Sequence, residues 1–260
     1  MMDDILIERS GAIATVTFNR PAQRNAISQG MWERIPKLVE TLGQDDEVRA
    51  IVFRGAGREA FIAGADISEF ERVRKDSQTA KAYNALLDHA YKTIQACPKP
   101  TVAMIFGYCM GGGMTMATSC DLRFAAEGAK FAVPAARLSI VYNVVSTAPL
   151  VHLVGPSRAK DILFSARTFD AAEALVMGVV NRVLPVDELE RYTYEYLGKV
   201  TTNAPQTVQG AKAVIAAILE NNPETIRAVD QLTLDAFDSQ DYREAVRAFL
   251  EKRPPRFEGR

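Results

Sequence analysis

Histidine is nearly absent from this chain, and neither sign of charge is in excess. Its 260 residues include two histidines, His89 and His152, and the formal net charge is −1. Two histidines far apart in sequence argue against a histidine metal site or a Ser-His-Asp triad, although His152 alone could carry a proton. A near-neutral chain has no electrostatic reason to bind nucleic acid or an anionic membrane. We therefore expect no metal and no nucleic acid.

Cysteines and long apolar runs are also scarce. Cys97, Cys109 and Cys120 lack the spacing of metal ligands. The first residues, MMDDILIE, are acidic and lack the apolar core of a signal peptide, so we expect reduced thiols and a cytoplasmic location. One run, residues 101–121, approaches the length of a membrane span, but glycines, threonines and a serine interrupt it. No membrane association is expected.

That run, TVAMIFGYCMGGGMTMATSCD, is the most informative stretch of the sequence. Its pattern predicts a buried strand, a tight turn at Gly111, Gly112 and Gly113, and a buried helix. Glycines at a helix entrance cost stability, which suggests that bare backbone must approach something closely. The first N–H groups of a helix have no intrahelical partner and lie at the positive end of its dipole. Such groups suit an oxyanion hole, although close packing of the helix on the strand is the simpler alternative.

A second motif, AFIAGADISEF at residues 60–70, has a similar form. A strand end leads into Ala63-Gly64-Ala65, and Asp66 is followed three residues later by Glu69. This spacing predicts a capping box and a helix that starts near Ile67. It places the N–H of Ala65 just outside a helix entrance. By itself the motif predicts only a capped turn.

Strands and helices alternate along the first two thirds of the chain. Residues 5–8, 12–18 and 48–54 read as strands, and Ser28 as the N-cap of a helix to about Leu42, which together favour an α/β core. Further on, the pattern predicts helices at 156–165 and 169–176, a strand at 179–184, and helices at 189–200, 207–219, 223–238 and 240–251. The change near Asp187 predicts a core of residues 1–187 and a helical region of residues 188–260. The apolar stripe of that region must be buried on its own core or on another subunit.

The motifs, taken together and in order, resemble the crotonase superfamily, also called the enoyl-CoA hydratase/isomerase family. NRPAQRNAIS, AFIAGADISEF and GYCMGGGMTMATSCDLRFA carry the resemblance, which continues through ARTFDAAEALVMGVVNRVLP to AFLEKRPPRF and covers nearly the whole chain. It implies an α/β fold, a spiral of ββα repeats with a C-terminal helical trimerisation region, and a homotrimer or a dimer of trimers. It also implies an acyl-CoA substrate, with coenzyme A as part of the substrate and no separate cofactor.

The resemblance assigns roles to particular residues. The backbone N–H groups of Ala65 and Gly112 would hold the thioester oxygen, where two donors can contribute several kcal/mol to the stability of an enolate. The residues expected to approach coenzyme A are Arg24, Asn25, Ala26, Ala63, Asp66, Ile67, Phe249, Lys252 and Phe257. The last three lie near the C-terminus and would approach it from the same or a neighbouring subunit.

The chain departs from the family at the positions that carry out hydration. The hydratases have one glutamate shortly after the triple glycine and another in the loop after the next strand, and these positions are Thr115 and Ala135 here. Neither side chain is ionised at neutral pH, so the usual delivery of water by two carboxylates is unavailable.

The segment VYNVV suggests what could replace hydration. It resembles a segment of methylmalonyl-CoA decarboxylase, a family member whose tyrosine orients the departing carboxylate, and that role corresponds to Tyr142. Asn143 corresponds to the nucleophilic aspartate of 4-chlorobenzoyl-CoA dehalogenase, which an amide cannot replace. Tyr142 and Asn143 thus join Ala65 and Gly112 as candidate catalytic residues. Lyase chemistry is favoured; a hydratase or isomerase with displaced groups, and a CoA-ester-binding protein without catalysis, remain alternatives.

Overall fold

The computed structural model describes residues 3–259, where strands and helices alternate through two sheets. The strands are β1 (Ile5–Ser10), β2 (Ile13–Phe18), β3 (Ala50–Gly55), β4 (Ala60–Ile62), β5 (Thr101–Ile105), β6 (Tyr108–Met110), β7 (Leu122–Ala126), β8 (Lys130–Ala132), β9 (Phe169–Asp170) and β10 (Arg182–Leu184). The helices are α1 (Gln29–Gln44), α2 (Phe70–Val73), α3 (Ser77–Ala96), α4 (Gly112–Ser119), α5 (Val144–Ser165), α6 (Ala171–Met177), α7 (Leu189–Thr201), α8 (Pro205–Glu220), α9 (Pro223–Asp238) and α10 (Gln240–Leu250).

The order of strands in the sheets confirms the predicted spiral of ββα repeats. The larger sheet has the order β1-β2-β3-β5-β7-β10 and the smaller one β4-β6-β8-β9. Successive strand pairs, β3 with β4, β5 with β6 and β7 with β8, each contribute one strand to either sheet. Each turn of the spiral therefore repeats the same step, and the ends of β4 and β6 come to lie side by side.

The larger sheet is covered on both faces, which explains why its central strands are apolar throughout. Phe53 of β3 packs in one buried cluster with Trp32 of α1. Val52, which faces the other way, packs in a second cluster with Leu189 and Leu197 of α7. Because adjacent residues of a strand point to opposite faces, both layers of helices are needed to bury β3.

The two predicted helix caps, Ser28 and Asp66, are confirmed, with one correction. The hydroxyl of Ser28 accepts a hydrogen bond from the N–H of Met31 and caps α1. Asp66 accepts one from the N–H of Ser68 at 3.1 Å and caps a 3₁₀ turn that leads into α2. The predicted capping box is wrong, because Glu69 instead accepts a hydrogen bond from the N–H of Gln29 at 2.7 Å. Glu69 thus ties this turn to the start of α1.

Three other elements differ from the expectations. Helix α3, 20 residues long, was not predicted. The helix predicted at 156–165 is confirmed as the second part of α5, after a kink where Gly155 adopts φ 75° and ψ 165°, whereas the first part of α5, from Val144, was not predicted. The segment predicted as a helix from residue 169 starts with the short strand β9. For β9, pairing with β8 replaces what the local pattern alone indicates.

The helical region carries many exposed apolar side chains. Helix α7 packs on the sheet, whereas α8, α9 and α10 expose large apolar residues that include Ile215, Ile218, Leu219, Leu232, Leu234, Phe237, Phe249 and Leu250. The boundary at residue 187 and the role of this region in trimerisation stay predictions. No helix within residues 3–259 combines the length and the apolar character that crossing a bilayer requires.

Candidate active site

The turn after β4 presents an unpaired N–H group. Ile27 donates to the carbonyl of Gly64 and accepts from the N–H of Asp66, both at 2.9 Å, in an isolated parallel bridge opposite Ala65. In such a bridge the N–H of the residue between the two bonded ones points away from the partner. The N–H of Ala65 therefore faces away from Ile27, and it has no acceptor among the described residues.

The turn after β6 presents a second unpaired N–H group, at the start of α4. Gly111 adopts φ 53° and ψ −118°, a conformation that favours glycine, and its N–H donates to the carbonyl of Ala132 at 2.9 Å. Gly112 is the first residue of α4, so its N–H has no intrahelical acceptor, and the described residues provide no other. The dipole of α4 adds a small positive potential there.

Close packing brings the two turns together. A Cβ placed on Gly113 would lie 2.4 Å from the carbonyl oxygen of Ile62, so only glycine lets α4 sit this close to β4. A Cβ on Gly112 would lie 3.7 Å from the nitrogen of Ala65, and one on Gly64 would lie 3.9 Å from the nitrogen of Gly112. The triple glycine thus serves both of the purposes considered from the sequence: Gly113 allows packing, and Gly112 exposes backbone.

Both turns open into one cavity of about 720 Å³, including its open mouth. Its walls come from the two turns, helix α3, the α2 segment and the residues just before and at the start of α5. The residues that line it are Ala63, Gly64, Ala65, Ile67, Phe70, Arg74, Asn84, Leu87, Asp88, Tyr91, Gly111, Gly112, Pro134, Ala135, Leu138, Ile140, Val141, Tyr142, Asn143 and Ser146. A cavity lined mostly by apolar residues with a few polar groups is typical of a small-molecule site.

The phenol of Tyr142 reaches the second turn. A Cβ placed on Gly111 would lie 3.6 Å from its hydroxyl oxygen. Burial raises the pKa of Tyr142 to about 12, although the positive charge of Arg74 and the hydroxyl of Thr115 oppose the rise. At neutral pH the phenol is therefore protonated and can donate a hydrogen bond.

Asn143 does two things at the entrance of α5. Its Oδ1 atom accepts from the N–H of Ser146 at 3.0 Å and caps the helix. Its Nδ2 atom donates to both carboxylate oxygens of Asp88, at 2.9 and 2.8 Å. Asn143 is thus a structural cap that also fixes the orientation of a carboxylate in the cavity.

The two positions that the sequence resemblance matched to glutamates of the hydratases, 115 and 135, hold uncharged, buried side chains. Thr115 is 3% exposed and lies one turn into α4, with its hydroxyl near the carbonyl of Gly111. Ala135 lines the cavity and offers no polar atom of its side chain. Neither residue can take a proton from water at neutral pH.

The residues expected to approach coenzyme A divide into two groups. Ala63 and Ile67 line the cavity, and Asp66 lies beside it in an ion pair with Arg20 at 2.9 Å. Burial raises the pKa of Asp66, but hydrogen bonds from Ser68 and Arg20 outweigh it and lower that pKa overall.

The second group does not line the cavity. Arg24 pairs with Glu59 at 2.7 Å, the buried amide of Asn25 donates to two backbone carbonyls, and the carbonyl of Ala26 accepts from Arg20. Phe249 and Lys252 are exposed, and the carbonyl of Phe257 accepts from Arg49 at 2.7 Å. Their role in binding coenzyme A stays a prediction.

Helix α3 supplies cavity residues that the sequence analysis missed. Asn84, Asp88 and Tyr91 lie on it, and Tyr91 donates to the carbonyl of Gly112 at 3.3 Å. Burial raises the pKa of Tyr91 well above its usual value, so it too is neutral. The signal was available: a capping box from Asp76 to Thr79 precedes apolar residues at helical spacing.

Two N–H groups without acceptors among the described residues, on neighbouring turns beside one cavity, are the arrangement that an oxyanion hole requires. The chain belongs to the enoyl-CoA hydratase/isomerase family, whose family model matches residues 8–260.

Known proteins resemble the chain over nearly its whole length. A crystal structure from Magnetospirillum magneticum, described as an enoyl-CoA hydratase/carnithine racemase, is 37% identical, with a TM-score of 0.95 and coverage of 100% of this chain and 97% of that one. The short-chain-enoyl-CoA hydratase of Clostridium acetobutylicum is 32% identical over 97% of this chain and 96% of its own length. The mouse mitochondrial methylglutaconyl-CoA hydratase is 31% identical over 98% of this chain and 82% of its own.

Proposed function

We propose that the protein is an enzyme that binds an acyl-CoA thioester and stabilises its enolate by hydrogen bonds from Ala65 and Gly112. The reaction we favour is lyase chemistry such as decarboxylation. The observation that carries this choice is the position of the Tyr142 hydroxyl beside Gly111, in the same cavity as both donors, while residues 115 and 135 have no carboxylate.

Decarboxylation needs little more than these groups. The bond between the α-carbon and the carboxylate breaks, CO₂ leaves, and the electron pair becomes an enolate whose oxygen the two N–H groups hold. A proton from water then adds to the α-carbon. Tyr142, as a neutral donor, would orient the carboxylate so that the breaking bond aligns with the π-system of the thioester.

Replacement of Gly112 by proline tests the oxyanion hole. Gly112 is the first residue of α4, the helix position that best tolerates proline, so the change removes one N–H donor with little cost to the helix. We expect kcat to fall by about 100-fold or more.

Gly112→Ala is the matched control, because it adds the same Cβ near Tyr91 but keeps the N–H group. If both variants lose activity equally, the loss comes from crowding and the assignment of this donor is wrong. Steady-state kinetics on the substrate identified from a panel of acyl-CoA esters makes the measurement.

Tyr142→Phe tests the lyase assignment. The change keeps the ring and deletes the hydroxyl, so binding of an unsubstituted acyl-CoA should persist while transition-state stabilisation falls by about 1–3 kcal/mol. Tyr196→Phe, which makes the same deletion on α7 outside the cavity, should leave kcat/KM unchanged. Full activity of Tyr142→Phe in decarboxylation would remove the main support for this reaction.

Hydration with a displaced carboxylate is the second candidate, and the position of Asp88 in the cavity favours it. Names of relatives, such as the crotonyl-CoA hydratase of Syntrophomonas wolfei, point the same way. We expect hydration of crotonyl-CoA to stay below about 10 per second, an ordinary enzyme rate. A faster rate that falls by about 100-fold or more in Asp88→Asn, and not in the exposed control Asp46→Asn, would make Asp88 the base and overturn our preference.

The apolar faces of the last helices support self-association as a homotrimer or a dimer of trimers. Phe249 is 83% exposed and Leu250 is 75% exposed, and burying such residues would supply much of the free energy of association. Sedimentation velocity at micromolar concentration should give a species of at least three chains, and Phe249→Lys with Leu250→Lys should shift it toward the monomer. A stable wild-type monomer would contradict the proposal.

A further inference from the structure

Arg74 is a cavity residue whose charge has no carboxylate partner among the described residues. Its guanidinium group lies 4.8 Å from the ring centroid of Phe70 and 4.7 Å from that of Tyr83. Its side chain makes one hydrogen bond, from Nη2 to Oδ1 of Asn84 at 3.2 Å. The Nε atom is buried without an acceptor, and no described carboxylate oxygen lies within 4.0 Å of any of its nitrogens.

Arg123 shows how an arginine with a structural role uses its hydrogen-bond donors within the protein. Arg123, which is buried, donates to the carbonyls of Val179, Ala117, Cys120 and Asp121 and to the side chain of Asn181. A guanidinium has five N–H donors in a planar fork that matches a carboxylate. Arg123 uses this capacity inside the protein, whereas Arg74 keeps most of it unused at the wall of the cavity.

The two aromatic rings explain how a charged group is held there. Stacking on Phe70 and Tyr83 favours the cation and fixes the plane of the guanidinium. Its positive charge is felt across the cavity, since it opposes the rise in the pKa of Tyr142 that burial causes. Arg74 and the Tyr142 phenol therefore face the same cavity, where both can act on one bound ligand.

Asp88 is the one carboxylate among the described residues that line the cavity, and it does not neutralise Arg74. Both of its oxygens accept from Asn143, and it forms no ion pair with Arg74. A ligand carboxylate that enters near Arg74 would thus meet an unused bidentate donor. Pairing there would offset much of the cost of removing the carboxylate from water.

We propose that Arg74 binds a carboxylate on the acyl chain of the substrate, and that the enzyme therefore selects acyl-CoA esters whose acyl chain carries a carboxylate. This inference rests on the proposed binding of acyl-CoA. A full ion pair would stabilise the carboxylate before reaction as well, so Arg74 should act mainly on binding and on KM. It is a specificity-determining residue for substrates of this class.

Binding of two ligands of equal chain length tests the proposal. Glutaryl-CoA has a terminal carboxylate and pentanoyl-CoA does not, and calorimetry gives the Kd of each. The wild-type protein should bind glutaryl-CoA more tightly. Arg74→Gln should raise the Kd of glutaryl-CoA by about tenfold or more and change the Kd of pentanoyl-CoA by less than about twofold. In turnover of a carboxylated substrate, KM should rise more than kcat falls.

Arg72→Gln is the matched control. Arg72 lies two residues from Arg74, but its side chain is exposed and does not line the cavity, so the change removes the same charge outside the site. It should leave both dissociation constants unchanged. If Arg74→Gln does not fold, Arg74→Lys provides the test. It keeps the positive charge but loses the planar fork of donors, so the ratio of the Kd of pentanoyl-CoA to that of glutaryl-CoA should fall by at least about threefold.

Equal affinity of the wild-type protein for the two ligands would overturn the proposal. So would an equal loss for both ligands, or no loss, in the Arg74 variants. Such results leave the oxyanion hole untouched, since binding of these ligands requires no enolate. If pentanoyl-CoA and glutaryl-CoA both fail to bind the wild-type protein, the proposed function fails with the inference, and the kinetics of Gly112→Pro identify that case separately.

Discussion

The approach of α4 to β4 sets the geometry on which the site depends. The absence of a side chain at Gly113 lets the first turn of α4 rest on the carbonyl of Ile62, where a Cβ would lie at 2.4 Å. Because β4 and β6 are neighbours in the smaller sheet, the turns that follow them are then held in contact. Two N–H groups on separate turns become one donor pair only at this spacing, so packing of the core and electrostatics of the site have the same origin.

The backbone part of the site was readable from the sequence because it follows from local rules. Apolar runs that end in glycine predict strand, turn and helix, and a helix start always leaves free N–H groups. Caps such as Ser28 and Asp66 are decided within a few residues and were predicted correctly. The alternation of strands and helices predicted the α/β core, whereas the spiral was predicted from the resemblance of the motifs to the family.

The side-chain part was harder because it depends on which distant segments share one cavity. Glu69 was predicted to pair with Asp66 at the start of its own helix, but it accepts a hydrogen bond from Gln29, 40 residues earlier. The contacts of Asn143 with Asp88 and of Arg74 with Tyr83 likewise exist only once α2, α3 and the loop before α5 have packed. Helix α3 is a different case, because its capping box and spacing were present in the sequence and were overlooked.

The balance of protons separates the two candidate reactions. Hydration needs one group to take a proton from water and a proton to be delivered to the α-carbon, a task that two carboxylates usually share. Thr115 and Ala135 supply neither, and a pKa of about 12 keeps Tyr142 protonated. Among the described residues that line the cavity, Asp88 would have to do both, while Asn143 occupies an acceptor site on each of its oxygens. Decarboxylation removes no proton before the enolate forms, so its first step requires only groups that the cavity already contains: two backbone donors for the enolate oxygen and a neutral phenol to orient the carboxylate.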